Sequence, residues 1–287
     1  MKNSERVIFT MLASRHRPYT KTRFVKMMFL LRKEGGLEDA YTLYDFLPYK
    51  YGPFSFTLYR DMARLTSNGW IAEDRLQLSE TRKKEALQEI KKLPPKIRSA
   101  VSLAETEYGK SSDAYLLNKV YSDYPEYTFM NENGKKTYTR PIAEPAIYTI
   151  GYEGKSADAF LNIFLQTGIR RLVDVRSNAV SRKWGFSKRA LTVLCGKLGI
   201  EYVHIPQLGI QSSRRRLVKT PDDYNRLLDE YEHCDLPRRT EAVAQLRRMM
   251  EEEASALVCM EADPSMCHRG RLAGVLRRLS DLKVYHV

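Results

Sequence analysis

The chain has 287 residues, 43% apolar and 29% charged, with 48 Lys and Arg against 35 Asp and Glu for a net charge of +13. That apolar content excludes disorder throughout, and the densest apolar run, residues 27–31, is far short of the roughly 20 residues a membrane-spanning helix needs. The first six residues turn charged at once without a signal-peptide core, so a cytoplasmic chain with no membrane attachment is expected.

A chain this long is more readily two domains than one. Residues 1–140 carry 25 basic and 17 acidic groups, and residues 141–287 carry 23 and 18, so both halves are basic. Such an excess favours a polyanionic partner, and nucleic acid is the usual one, although basic balance also serves solubility alone. The four cysteines, Cys195, Cys234, Cys259 and Cys267, all fall in the second half and form no C-x-x-C pair. Free thiols are the plain expectation for them in a reducing compartment.

The first half reads as helical with a small hairpin. Residues 4–15 suit a helix, and Thr20 or Thr22 suits the cap of a second that runs to Lys33 and stops at Gly35-Gly36. Residues 41–48 look extended. A third helix over 55–68 presents Leu58, Met62 and Leu65 on one face, with Gly69 as its stop. Two short extended pieces, 70–72 and 76–78, follow. Helix, helix and two-stranded wing is the order of a winged helix-turn-helix, whose second helix would offer Tyr59, Arg60 and Arg64 to DNA. Helices from Ser79, over 95–108 and over 113–123 complete a recognition domain of residues 1–126.

Tyr51-Gly52-Pro53-Phe54-Ser55, Leu58-Tyr59, Leu65 and Gly69-Trp70-Ile71 resemble the Panacea group of antitoxin-like domains, as do Tyr108-Gly109, Leu116-Leu117, Val120-Tyr121 and Pro125-Glu126-Tyr127. The resemblance covers about residues 5–130. It implies a protein-neutralising or adaptor role, so a protein partner for this domain stands beside a nucleic-acid one. Residues 127–145, with Asn131-Glu132-Asn133-Gly134-Lys135-Lys136, Pro141 and Pro145, read as a linker.

Residues 146–287 alternate strand and helix. Strands are expected at 147–150, 171–175, 201–205, 256–260 and 284–286, with helices from Ser156, over 187–198, near 221–232, over 239–253 and over 268–279. That alternation predicts an α/β domain with a mostly parallel, Rossmann-like sheet covered on both faces. Ligands bind such sheets beyond the carboxyl ends of the strands. The segments that start there are Gly151-Tyr152-Glu153-Gly154, Asp174-Val175-Arg176-Ser177-Asn178, His204-Ile205-Pro206-Gln207-Leu208-Gly209 and Cys259-Met260-Glu261-Ala262-Asp263 with Cys267-His268-Arg269.

Thr149-Ile150-Gly151-Tyr152, Val173-Asp174-Val175-Arg176, residues 199–204, Leu208-Gly209 and the run from Cys259 to Pro264 with Cys267-His268-Arg269 resemble the domain of unknown function 488 family over about 146–287. That resemblance implies a compact Rossmann-like domain and no particular activity.

Residue chemistry carries the rest. Cys267, His268, Arg269 and Arg271 open a helix, where free backbone N–H groups and arginines suit a phosphate, and Arg176 is placed to face the same spot. The bland alternative is a helix start with solvated arginines. Glu261, then Asp174 and Asp263, are the candidate catalytic carboxylates, or else ion-pair partners for those arginines. A phosphatase-type loop needs Arg six positions after Cys; Cys259 leads to Ser265 and Cys267 to Ala273, so it is absent. Neither G-x-S-x-G nor a P-loop occurs. Zinc at Cys259, Cys267 and His268 looks awkward because two of the three are adjacent, so no metal and no cofactor is expected. Cys195 lies in an apolar pattern and reads as core. Arg182, Lys183, Trp184, Lys188 and Arg189, then Arg214, Arg215 and Arg216, form a basic track with an aromatic ring for a base to stack on, though each run alone suits a solvated surface.

These features lead to a nucleic-acid-binding hydrolase, on DNA rather than RNA, that holds a nucleotide phosphate and cuts a base–sugar bond in the manner of a glycosylase, or a phosphodiester bond. The alternatives are a non-enzymatic DNA-binding regulator or antitoxin-like adaptor whose α/β domain senses a nucleotide, and a hydrolase of free nucleotides.

Overall fold

The computed structural model describes residues 1–14, 17–37, 43–132 and 138–287. Residue 15 of the expected first helix, residues 41–42 of the expected extended stretch and residues 133–137 of the expected linker lie outside the described residues. The chain divides into two compact units, Met1–Thr139 and Arg140–Val287. The ends of the expected linker each pack on their own unit. Tyr127 is in the first core and Glu132 N donates to Lys50 O, while Arg140 Nη1 donates to Leu198 O.

The first unit contains α1 (Asn3–Ala13), α2 (Lys21–Glu34), the hairpin β1 (Leu47–Tyr49) and β2 (Gly52–Phe54), then α3 (Phe56–Ser67), α4 (Lys83–Lys91), α5 (Pro95–Tyr108) and α6 (Asp113–Asp123). Thr20 and Ser55 cap α2 and α3 by accepting from Arg23 N and Leu58 N. α2 is buried nearly all round, through Phe24, Met27, Phe29 and Leu31 among others, and forms the centre of this core. Lys26 is buried with it and donates to Tyr51 O at 2.5 Å and Pro53 O at 3.4 Å, which ties the hairpin to the helix. Burial holds its ammonium down, to about 7. Gly52 turns that hairpin at φ +82°, and a side chain there would overlap the Tyr121 ring. The segments 70–72 and 76–78 pair through one bridge, Ile71 with Leu78, and the hydrogen bonds Ala72 N to Gln77 O and Ser79 N to Trp70 O. A hairpin, β1–β2, stands between α2 and α3 where sequence reading expects only an extended stretch.

The second unit is a five-stranded parallel sheet flanked by helices. Its strands are β3 (Ile147–Gly151), β4 (Arg171–Asp174), β5 (Glu201–His204), β6 (Ser255–Cys259) and β7 (Val284–His286), in the order β5–β4–β6–β3–β7. The helices are α7 (Ala157–Thr167), α8 (Lys188–Lys197), the short α9 (Ser212–Arg215), α10 (Pro221–Glu230), α11 (Thr240–Glu252) and α12 (His268–Leu279). β6 is buried at every position, as expected of a strand covered on both faces. Ile147, Val173, Val175 and Leu257 point to one face, where Leu227, Leu246, Met250, Leu272 and Leu276 of α10, α11 and α12 cover them. Successive side chains alternate, so Ile150, Asp174 and Val258 point to the other face. There Cys195 of α8 lies close enough to Asp174 to feel its charge. Each fully buried aliphatic side chain in these layers contributes roughly 1.5–3 kcal/mol.

Candidate functional site at the carboxyl edge of the sheet

Strand order fixes where a crevice opens. From β4 the chain moves outward to β5, and from β6 it moves the other way to β7, so β4 and β6 are neighbours whose connections diverge. The space beyond their carboxyl ends is a topological switch point. Four loops meet there. Lys183 Nζ donates to Tyr152 O at 3.1 Å, Ala262 N to Glu153 Oε2 at 3.0 Å and Ser177 Oγ to Ile210 O at 2.8 Å. Two glycines permit this close approach: a Cβ on Gly151 would overlap the Glu261 carbonyl oxygen, and one on Gly209 would overlap Ser177 N.

On the α8 face lies a closed network. Asp174 is fully buried and accepts from Arg176 N at 3.1 Å, Arg176 Nε at 2.8 Å, Arg176 Nη2 at 2.5 Å and the Tyr202 hydroxyl at 2.8 Å. Arg176 Nη1 donates onward to Tyr152 Oη at 3.1 Å and Phe186 O at 2.9 Å, and Tyr152 stacks on Phe186 with centroids 4.3 Å apart. His204 Nε2 lies 2.8 Å from Arg176 O. Burial and the Asp174 charge push the Tyr202 hydroxyl well above its ordinary range, and push the Cys195 thiol up to about 12. The guanidinium and carboxylate are therefore spent on each other.

The opposite face carries a cluster of sulfur, nitrogen and oxygen donors. Cys259 ends β6 and Glu261 follows two residues on. Cys267 is the N-cap of α12, with extended backbone at φ −148° and ψ 140°, and His268 is the first helical residue. Both sulfurs lie 3.0 Å from Glu261 Oε2, and His268 Nδ1 lies 3.6 Å from Cys259 Sγ and 3.8 Å from Cys267 Sγ. His268 Nε2 lies 3.1 Å from Val175 O. A carbonyl only accepts, so Nε2 carries the proton and Nδ1 presents its lone pair to the sulfurs. Arg215 Nη2 lies 3.1 Å from that Nδ1, and Arg215 Nη1 lies 3.4 Å from Glu261 Oε1.

Cys259, Cys267 and His268 are at most 1% exposed, whereas the side chains of Glu261 and Arg215 are 23% and 30% exposed and form the open side. A hydrogen bond from Cys267 draws the Cys259 thiol well below its usual range, against the effect of burial. Burial and that bond hold Cys267 well above it. Burial, then the charge on Cys259, raises the Glu261 carboxyl.

The remaining expected residues separate. Asp174 and Glu261 stand on opposite faces of the sheet and do not meet. Arg269 is buried and donates to Glu261 O at 2.5 Å and Ala262 O at 2.8 Å, so it shapes the loop that carries Glu261. Arg271 pairs with Asp229 at 2.9 Å and Glu232 at 3.3 Å. Asp263 accepts from Ser265 N and Oγ. Arg182, Lys183, Trp184, Lys188, Arg189 and Arg216 are exposed, while Arg214 pairs with Glu230 and Asp235. Val180, Leu217, Met260 and Met266 are exposed among the same loops. In the first unit Arg60 pairs with Asp61 at 2.7 Å, and Arg64 pairs with Glu5 and Asp61.

Sequence reading gives no role to Tyr152, Tyr202 or His204, and takes Arg215 only as one cation of a basic run. No local signal marks them, because the side-chain partners described for them come from other elements of the chain. Cys-x7-Cys-His is visible in the sequence, where its adjacent pair argues against one shared ion. The N-cap geometry removes that objection: Cys267 is extended and His268 helical, so the two side chains leave the backbone differently and converge.

Residues 156–276 match the family described as Domain of unknown function DUF488, which supports the resemblance read from the motifs of this unit. No curated protein and no solved structure matches the chain.

Proposed function

We propose that the second unit is a nucleic-acid-processing hydrolase that holds one nucleotide at the β4–β6 switch point and cleaves its base–sugar or phosphodiester bond. The observation that carries this reading is the position of Glu261. It is a carboxylate at the crevice, partly open, paired with Arg215 and surrounded by loops that present both cations and apolar side chains. Glu261 moves the proton of the attacking water, and Arg215 orients the carboxylate and meets a phosphate oxygen. Arg182, Lys183 and Arg216 follow the backbone, and Trp184, Met260 and Met266 give a base an apolar surface. Asp174 and Arg176 belong to the frame, since their charges already neutralise each other inside the sheet.

The finer reading of the first unit, a winged-helix-like, Panacea-resembling domain that recruits DNA or a protein partner, rests on α3 followed by the hairpin over 70–79. DNA binding through Arg60 or Arg64 requires their pairs with Asp61 and Glu5 to open.

The test is incubation of the full chain with end-labelled single- and double-stranded DNA carrying varied bases, with and without added divalent metal, beside Glu261→Gln. Cleavage or base release by the native chain that Glu261→Gln loses while still binding supports the reading. Equal inertness of both on every substrate removes it.

A further inference from the structure

We propose that Cys259, Cys267 and His268 bind one zinc-class transition-metal ion at the switch point, with Glu261 beside its fourth coordination position. Cys259 Sγ, Cys267 Sγ and His268 Nδ1 all lie within 4.8 Å of one another, and all three residues are buried. With zinc–sulfur bonds near 2.3 Å and zinc–nitrogen bonds near 2.0–2.1 Å, a tetrahedron has sulfur-to-nitrogen edges of about 3.6 Å. The observed separations of 3.6 and 3.8 Å need almost no adjustment.

A second observation is independent of that spacing. Metal-bound histidines almost always donate their other ring N–H to a carbonyl or carboxylate, which fixes the tautomer and the ring plane. His268 Nε2 does this to Val175 O at the end of the neighbouring strand, and the Tyr231 ring meets the imidazole edge-on with centroids 5.5 Å apart. The Nδ1 lone pair is thereby aimed at the two sulfurs.

Chemistry selects the ion. Two thiolates and an imidazole suit zinc, or iron(II) or cobalt(II), and do not suit magnesium or calcium, which take oxygen ligands. Three protein ligands with a carboxylate nearby is the plan of a site that keeps a position for water, whereas structural zinc sites close all four. Arg215 Nη2 approaches Nδ1 from the open side and must swing outward when the ion enters, which a side chain 30% exposed can do. The metal inference rests on donor geometry and is independent of the proposed hydrolysis.

The test uses the full chain purified without a histidine tag. Elemental analysis after gel filtration is expected to give about one zinc per chain, falling below about 0.1 in Cys267→Ser and His268→Asn. Cobalt(II) exchanged into the native chain is expected to show visible ligand-field bands and a near-ultraviolet thiolate-to-cobalt band. Cys234→Ser, at an exposed thiol outside the cluster, is expected to keep both signals, and Glu261→Gln to keep the metal. Should the variants fail to fold, the cobalt spectrum of the native chain decides alone. A native chain with neither zinc nor a cobalt–thiolate band, or one isolated under anaerobic conditions with Cys259 and Cys267 joined as a disulfide, overturns the proposal.

Discussion

Asp174→Asn separates a frame role from a chemical one. The carboxylate is fully buried and accepts four hydrogen bonds, three of them from Arg176. The amide that replaces it is uncharged and nearly isosteric, so packing stays and the buried guanidinium loses its counter-charge. Breaking a buried ion pair from one side costs about 3–5 kcal/mol. For a unit of about 150 residues, each kcal/mol shifts the melting temperature by about 2–4 °C, so a fall of about 6–20 °C follows. Circular dichroism through thermal and urea unfolding measures it. The double variant Asp174→Asn, Arg176→Met removes the stranded charge as well and is expected to recover part of the loss. If Asp174→Asn melts within about 2 °C of the native chain, which at this size is under about 1 kcal/mol, and yet abolishes turnover, the frame assignment is wrong and Asp174 acts on substrate.

Three further outcomes are expected. Lys26 is largely neutral when folded above about pH 7 and charged when unfolded below its ordinary 10.5. The unfolded chain then binds the extra proton, so stability of the first unit rises from about pH 7 to pH 10, by up to about 4 kcal/mol, less what the Tyr51 and Pro53 carbonyls return to the ammonium. Trp70 fluorescence in a Trp184→Phe background follows that unit, Lys26→Met should flatten the profile, and a profile already flat in the native chain contradicts the assignment. Gly151→Ala sets a methyl group against the Glu261 carbonyl, so it should cost about 1–3 kcal/mol and displace the Glu261 loop; unchanged melting and turnover refute that. Arg182→Ala and Arg216→Ala should each weaken oligonucleotide binding uniformly across sequences and reduce the salt slope by about 0.7–0.9 for each phosphate no longer neutralised, whereas an unchanged slope places the nucleic acid elsewhere.

Much of the second unit is legible in the sequence because its strands are short apolar runs between amphipathic helices. Ala256-Leu257-Val258-Cys259 reads as a strand buried on both faces, and it is. Strand order is not legible, since neighbours across a sheet are chosen by packing between distant segments. For that reason the sequence does not tell whether Asp174 and Glu261, both just at or past strand ends, face one another; alternation along β4 and the helices over each face keep them apart. In the first unit, prolines at 48 and 53 argue against strands, yet both sit in a two-stranded hairpin where no third strand needs their missing N–H groups. Buried Lys26 is invisible in the sequence for a similar reason: its carbonyl partners lie 25 and 27 residues away.

Hydrogen–deuterium exchange of the full chain, with and without a saturating single-stranded oligonucleotide, tests most directly whether the four carboxyl-edge loops of the second unit gather the ligand. Slowed exchange is predicted together in residues 152–156, 176–189, 206–217 and 260–267. Protection confined to residues 55–79, or none anywhere, contradicts a nucleotide site at the β4–β6 crevice.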